Sequence, residues 1–173
     1  MTQRTIHKDN RAHGILIKDA LASLFALTIL RPPEHFMLCS PWVDDIEVMD
    51  NRFGQYRALL PEAVNSRIRL STLLNILDER GCEVQVICRP DEKSNDDFLA
   101  RLPGVPVLGD REIHAKYMVC DYFCITGSMN FTDNGVHRDQ QNNTEISTDP
   151  QTVSGLLLAA SEVWTRLGGK SRG

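Results

Sequence analysis

Residues 114–130 read H-A-K-Y-M-V-C-D-Y-F-C-I-T-G-S-M-N. The stretch holds two strand-like runs joined by a turn. Val119 and Cys120 are the apolar filling of the first run, and Phe123, Cys124 and Ile125 that of the second. Asp121 and Tyr122 stand where the runs meet, and Asp is a favoured turn residue. Gly127 permits a close backbone approach just ahead of Ser128 and Asn130. If the runs pair as a hairpin, His114 and Lys116, two apart, point to one face, and Ser128 and Asn130 do the same on the partner run. A nucleophile or base, a fixed cation and two neutral hydrogen-bonding groups then converge, a set suited to a tetrahedral anion such as phosphate.

These residues carry a resemblance. H-x-K, four residues, Asp, a short gap and G-S-x-N resembles the HKD signature of the phospholipase D superfamily. His114-Ala115-Lys116, Asp121 and Gly127-Ser128-Met129-Asn130 fill its positions, and Phe131-Thr132 continues it. The gap from Asp121 to Gly127 is one residue shorter than the family pattern. Each element alone is ordinary: a lone strand histidine is usually a satisfied polar group, and Gly-Ser-x-Asn is usually a turn. The compound order is what carries the signal.

Outward from this stretch the chain alternates helices and strands. Residues 1–14 are polar and read as a loosely docked segment. Residues 15–173 read as one domain. Helices are expected over 15–30, with Ile17, Leu21, Leu24, Ala26, Leu27 and Leu30 as the apolar stripe, over 67–80, and over 96–102 behind a Ser94 or Asn95 cap. A last helix is expected over 152–167, faced by Leu156, Ala159, Ala160, Val163, Trp164 and Leu167. Strands are expected over 35–43, 82–88, 105–108 and 143–148. The helix, Gly81 and strand in succession indicate a βαβ unit with a right-handed crossover. The expected fold is α/β: a mixed, largely central sheet with helices on both faces. Ser40, Trp42 and Asp44-Asp45 fall at a strand exit, where α/β proteins often place ligands.

The formal net charge is −4, so bulk positive charge does not bind this protein to nucleic acid. Basic residues must be gathered locally, and Arg89, Lys93, Arg101, Arg111 and Arg138 are the candidates, with Trp42 beside them. Five cysteines in no paired spacing read as reduced thiols of a cytoplasmic protein. A metal site from Cys120 and Cys124 with Cys82 or Cys88 is the alternative, weakened by the lack of C-x-x-C spacing. The apolar run over 20–30 is too short to span a bilayer, and Arg31-Pro32-Pro33 follows it in place of a small-residue cleavage site.

The resemblance implies more than the residues alone. It implies a phosphodiesterase without metal or other cofactor, in which one histidine forms a phosphohistidine and a second serves the leaving oxygen. This chain shows one H-x-K set, so the resemblance implies a homodimer with His114 of each copy meeting at a two-fold axis. Lys116 and Asn130 would hold phosphate oxygens, and Ser128 would support them or bond the histidine. Glu145, in Asn143-Thr144-Glu145, would orient the imidazole. Asp121 stays open between a catalytic role and a turn residue. Short single-signature chains resemble dimeric bacterial nucleases, some of them modules of restriction or phage-defence systems with partner proteins. DNA or RNA is the first substrate expectation. An anionic phospholipid is the second, and needs Phe36, Trp42 or Phe53 at the surface. A non-catalytic docking or dimerisation subunit is the third.

Overall fold

A computed structural model describes residues 3–7, 11–61, 66–137 and 143–170, with side chains over 19–61, 66–136 and 143–170. The strands are β1 Gln3–His7, β2 His35–Cys39, β3 Glu47–Asp50, β4 Arg67–Arg69, β5 Glu83–Cys88, β6 Val107–Gly109, β7 Tyr117–Cys120, β8 Cys124–Gly127 and β9 Asn143–Ser147. The helices are α1 Arg11–Leu30, α2 Leu70–Glu79, α3 Lys93–Leu99, α4 Asp133–His137 and α5 Pro150–Arg166.

Seven strands form one mixed sheet in the order β1-β9-β8-β7-β2-β5-β6, and β3-β4 form a separate ribbon. The apolar run Phe36-Met37-Leu38-Cys39 fills the middle strand, as a strand covered on both faces requires. β2 pairs parallel with β5, and α2 lies in the crossover between them. The β7–β8 hairpin then adds antiparallel to β2, and β9 and β1 complete that edge. One face buries Phe25, Leu38, Leu74, Leu77, Phe123 and Phe131 beneath α1, α2 and α3. The other buries Met37, Cys39, Ile87, Tyr117, Val119 and Trp164 beneath α5. The expected α/β architecture is therefore present. Among the described residues no helix is long and apolar enough to cross a membrane.

Several local expectations differ. Leu21, Phe25 and Ile29, four apart, form the buried line of α1, while Leu27 and Leu30 are 40% and 66% exposed. Phe25 is the bulkiest group on the helix, and its burial sets the rotation. Residues 67–69 are strand rather than helix: Arg67-Ile68-Arg69 alternates with period two, and Ile68 enters the core opposite Met49. The first turn of α2 is capped from a distance, its Ser71 N–H donating to Asp45 Oδ1 at 2.9 Å. α3 begins at Lys93, ahead of both expected caps. α5 begins at Pro150, where proline's fixed φ suits the first helical position, and Asp149 accepts from Thr152 N at 3.0 Å. Its buried line is Val153, Ala160 and Trp164, and Ala159 is exposed. The polar segment at the start contributes the edge strand β1. Arg138 and the end of the 132–142 connection lie outside the described residues.

All five cysteines are free and buried. Cys124 pairs with Val119, so Cys120, one residue on, projects to the opposite face. Cys82, Cys88 and Cys120 lie under α1–α3, and Cys39 and Cys124 under α5, so the set of Cys120 and Cys124 with Cys82 or Cys88 is not assembled. Burial pushes the thiols of Cys39 and Cys82 up to about 12 and those of Cys88 and Cys120 up to about 11. At neutral pH these groups are neutral thiols. A thiol-specific disulfide reagent is expected to titrate none of these four in the native protein and all five cysteines after denaturation. Rapid native reaction at any of the four would contradict the burial.

Candidate active site

The strand directions bring separate pieces of sequence to one rim. β2 and β5 end there, at Cys39 and Cys88. β7 runs antiparallel to β2 and so starts there, which puts His114 and Lys116 beside the β2 exit. β8 ends at the same rim with Ser128 and Asn130 just beyond, and β9 starts there with Asn143 and Glu145. Directly opposed residues share a face, so Cys39, Tyr117, Thr126 and Glu145 form one row across four strands on the α5 side. His114, Lys116, Ser128, Asn130 and Glu145 are thus gathered within three residues of the strand ends at this rim.

Each rim group has an identifiable support. Lys116 Nζ donates to the His114 carbonyl at 2.8 Å. Ser40, fully buried, gives its one hydroxyl hydrogen to Trp42 O at 2.8 Å, and its Oγ lies 3.3 Å from the Asn130 side-chain amide. Ser128 ties β8 to β9: its N–H donates to Asn143 O at 3.0 Å, and its Oγ accepts from Asn143 N at 3.1 Å. Gly127 has φ +151°, and a Cβ there would lie 2.0 Å from Asn143 O. Only glycine lets the two strand ends approach this closely. A Cβ on Gly135 would likewise lie 2.2 Å from Asn130 O, so α4 backs directly onto the asparagine carbonyl.

Arg89 and Trp42 meet at the same rim. The Arg89 guanidinium stacks 4.7 Å from the Trp42 ring centroid. Its Nε and Nη2 donate to Ile113 O at 3.3 and 3.2 Å, and Nη2 lies 3.4 Å from His114 Nδ1. Trp42 is half-buried beneath this cation rather than packed wholly inward. Arg111 is 76% exposed and engaged by Asp91, so its charge is partnered at the rim's edge.

Of the two roles left open for Asp121, its position favours the turn. It sits in the turn at the other end of β7, roughly 15 Å along the strand from Lys116 at the usual rise per residue. There its Oδ2 accepts from His35 N at 3.0 Å, and Oδ1 lies 3.4 Å from His35 Nδ1. It holds the hairpin turn to the start of β2 and is remote from the rim. Asp121→Ala is expected to leave any activity of the rim within about twofold and to cost about 1 kcal/mol of stability, the worth of one partly exposed hydrogen bond. Parallel turnover and urea-melt measurements test this.

Asn95 was read as a helix cap and does something else. It is fully buried in the first turn of α3. Its Oδ1 accepts from Val43 N at 2.7 Å, and its Nδ2 donates to Pro41 O at 2.9 Å and Arg89 O at 2.8 Å. One amide thereby clamps the β2 exit loop to the β5 exit loop and fixes the backbone of both Trp42 and Arg89. Asn95→Ala is expected to cost about 3 kcal/mol, because it strands buried backbone groups. That corresponds to a Tm lower by roughly 10 °C for a chain of this size, read by calorimetry. A change under about 2 °C would show that the clamp is dispensable.

The family model described as cardiolipin synthase, PLD-like domain matches residues 55–164, more than half of the chain. The chain belongs to the PLD-like family. It is thus a member of the phospholipase D superfamily of phosphodiesterases, and the matched span includes His114, Lys116, Ser128, Asn130 and Glu145. No curated protein matches it. Among solved structures it is similar to the phospholipase D family member Nuc from Salmonella typhimurium, with TM-score 0.63 and 14% identity over 99% of this chain and 97% of that one. NucT from Helicobacter pylori aligns with TM-score 0.60 and 12% identity over 93% and 94%. Polyphosphate kinase from Porphyromonas gingivalis aligns with TM-score 0.63 and 13% identity over 99% of this PLD-like chain but 24% of its own. At these identities the likeness speaks for the fold.

Proposed function

We propose that this chain is a metal-independent phosphodiesterase that cleaves nucleic acid through a phosphohistidine on His114, in a site shared by two copies of the chain. The observation that carries the reading is the convergence of His114, Lys116 and Asn130 on one sheet rim from separate strand ends. Those groups supply a nucleophile, a fixed positive charge and a neutral amide donor, which is what in-line displacement at a phosphodiester needs.

A ring nitrogen of His114 attacks phosphorus, a P–N bond forms and the P–O bond to the leaving group breaks. The partner copy's equivalent histidine gives that oxygen its proton. It then takes a proton from water, whose oxygen displaces His114 and regenerates both rings. Lys116 and the Asn130 amide hold the nonbridging oxygens as charge builds on them. Glu145, the third residue of β9, accepts the second ring N–H of His114 and fixes the ring. Ser128 acts through the strand ends it joins. The dimer follows from arithmetic: the mechanism uses two histidines, and each chain carries one H-x-K set.

Nucleic acid is favoured over phospholipid by what surrounds the rim. Phe36 is fully buried, and Trp42 is capped by Arg89, so neither forms an apolar lip for acyl chains. Phe53 is 87% exposed but lies just past β3, on the ribbon outside the main sheet. Near-complete mutual coverage with Nuc and NucT also supports a compact fold of that size.

The test is cleavage of end-labelled single- and double-stranded DNA and RNA in excess EDTA, with phosphatidylglycerol vesicles as the competing substrate. Cleavage of at least one nucleic acid under chelation is expected. Hydrolysis of the lipid alone would transfer the site to the lipid reading, and a requirement for added metal would remove the mechanism.

A further inference from the structure

The contact between Arg89 and His114 determines where the histidine keeps its proton. A guanidinium has donors only and stays charged throughout the working pH range. The ring nitrogen it meets must therefore accept. Arg89 Nη2 lies 3.4 Å from Nδ1, which assigns the lone pair to Nδ1 and, in the neutral ring, the hydrogen to Nε2. In this arrangement neither nitrogen is a nucleophile: the Nδ1 lone pair is engaged, and Nε2 is protonated.

We propose that Arg89 is a latch on the His114 tautomer that an arriving phosphodiester releases, a proposal that rests on the phosphodiesterase reading of the rim. Without substrate, Arg89 holds the ring in the form that cannot attack. An anionic phosphate oxygen draws the guanidinium off Nδ1, because a hydrogen bond between two charged groups is roughly twice as strong as one between neutral groups. At 3.4 Å the resting contact is long enough for an anionic oxygen to displace it. The Trp42 stack and the paired bonds to Ile113 O keep the guanidinium within reach of the rim during the exchange. Nε2 then gives its proton to water while Nδ1 takes one up, leaving the proton count unchanged. The new Nδ1–H is the donor that Glu145 accepts, and the Nε2 lone pair becomes available. Arg89 is thus a positioning residue in the empty site and a phosphate contact in the occupied one. A ligand without an anionic oxygen does not switch the ring on.

The test reads the tautomer directly and needs no turnover. Protein labelled with 15N in its histidines is examined by long-range proton–nitrogen correlation, at a pH alkaline enough to keep the ring neutral. His114 is assigned by loss of its signals in His114→Gln. The expected result is the Nε2–H form in the free protein and a reversal to the Nδ1–H form on saturation with inorganic phosphate. In Arg89→Leu, which removes the donor, the Nε2–H fraction is expected to fall to that of a free imidazole before phosphate is added, with no further change on addition. A free wild type already in the Nδ1–H form would overturn the proposal, and so would a wild-type tautomer unmoved by saturating phosphate. Should Arg89→Leu fail to fold, the wild-type titration alone decides. A protein that switches tautomer yet cleaves no nucleic acid keeps the latch and loses the nuclease, and the opposite pattern does the reverse.

Discussion

His114→Ala is expected to lower phosphodiester turnover by at least about 10,000-fold, the order seen when a covalent nucleophile is removed from a preorganised site. The fold should be unaffected. His114 is exposed, precedes the first residue of β7, and contributes no side chain to either buried cluster. The variant should therefore melt within about 1 °C of the wild type, as surface substitutions usually do. Substrate binding should persist, since Lys116 and Asn130 remain with their own supports. Retained turnover above a few per cent in a pure variant would transfer the nucleophile elsewhere. Lost turnover with a lost fold would say only that the site was structural, which is why both are measured on the same preparation.

Gly127→Ala is the substitution expected to damage the site most without touching a reacting group. The added Cβ would lie 2.0 Å from Asn143 O and 3.2 Å from Thr144 Cα, both backbone atoms that cannot rotate away. The φ of +151° adds strain for any residue with a side chain. The ends of β8 and β9 must separate, breaking the paired bonds between Ser128 and Asn143. The expected cost is about 3 kcal/mol of stability, within the range for a strained backbone position plus a lost hydrogen bond. Asn130 and Glu145 sit on the two displaced ends, and a shift near 1 Å is expected to lower turnover by about 100-fold. Denaturant melts and steady-state kinetics check the two halves. Wild-type behaviour in both would mean that the close approach is relaxed in solution.

How far the sequence carried these conclusions depends on whether a signal was local. The hairpin was legible because two apolar runs with a turn between them can pair only one way, and the order of His114, Lys116, Ser128 and Asn130 along them set which end was polar. The βαβ unit was legible from Leu70, Leu73, Leu74 and Leu77 followed by Gly81 and the alternating β5. β4 was missed because Ile68 lies in register with the helical stripe of α2, so a three-residue strand merged with the helix behind it. Asp121 was ambiguous because distance along a strand is invisible in a motif. Once β7 is straight, the turn residue and the histidine occupy opposite ends. Asn95 was legible only as a cap candidate and Ser40 only as a strand-exit residue. Asn95 meets Val43, 52 residues away, and Ser40 meets Asn130, 90 residues away, and only the folded sheet brings those partners together. Arg89 and Trp42 were chosen for charge and position, and the structure adds that they stack on each other and reach His114.

The most direct measurement of the central claim is the stereochemical course at phosphorus. A nucleic acid with a single phosphorothioate linkage of known configuration is cleaved in EDTA, with an 18O-labelled water to mark the entering oxygen. Two in-line displacements, one onto His114 and one off it, predict net retention of configuration. Net inversion would mean that water attacks phosphorus directly, and would contradict a phosphohistidine on His114.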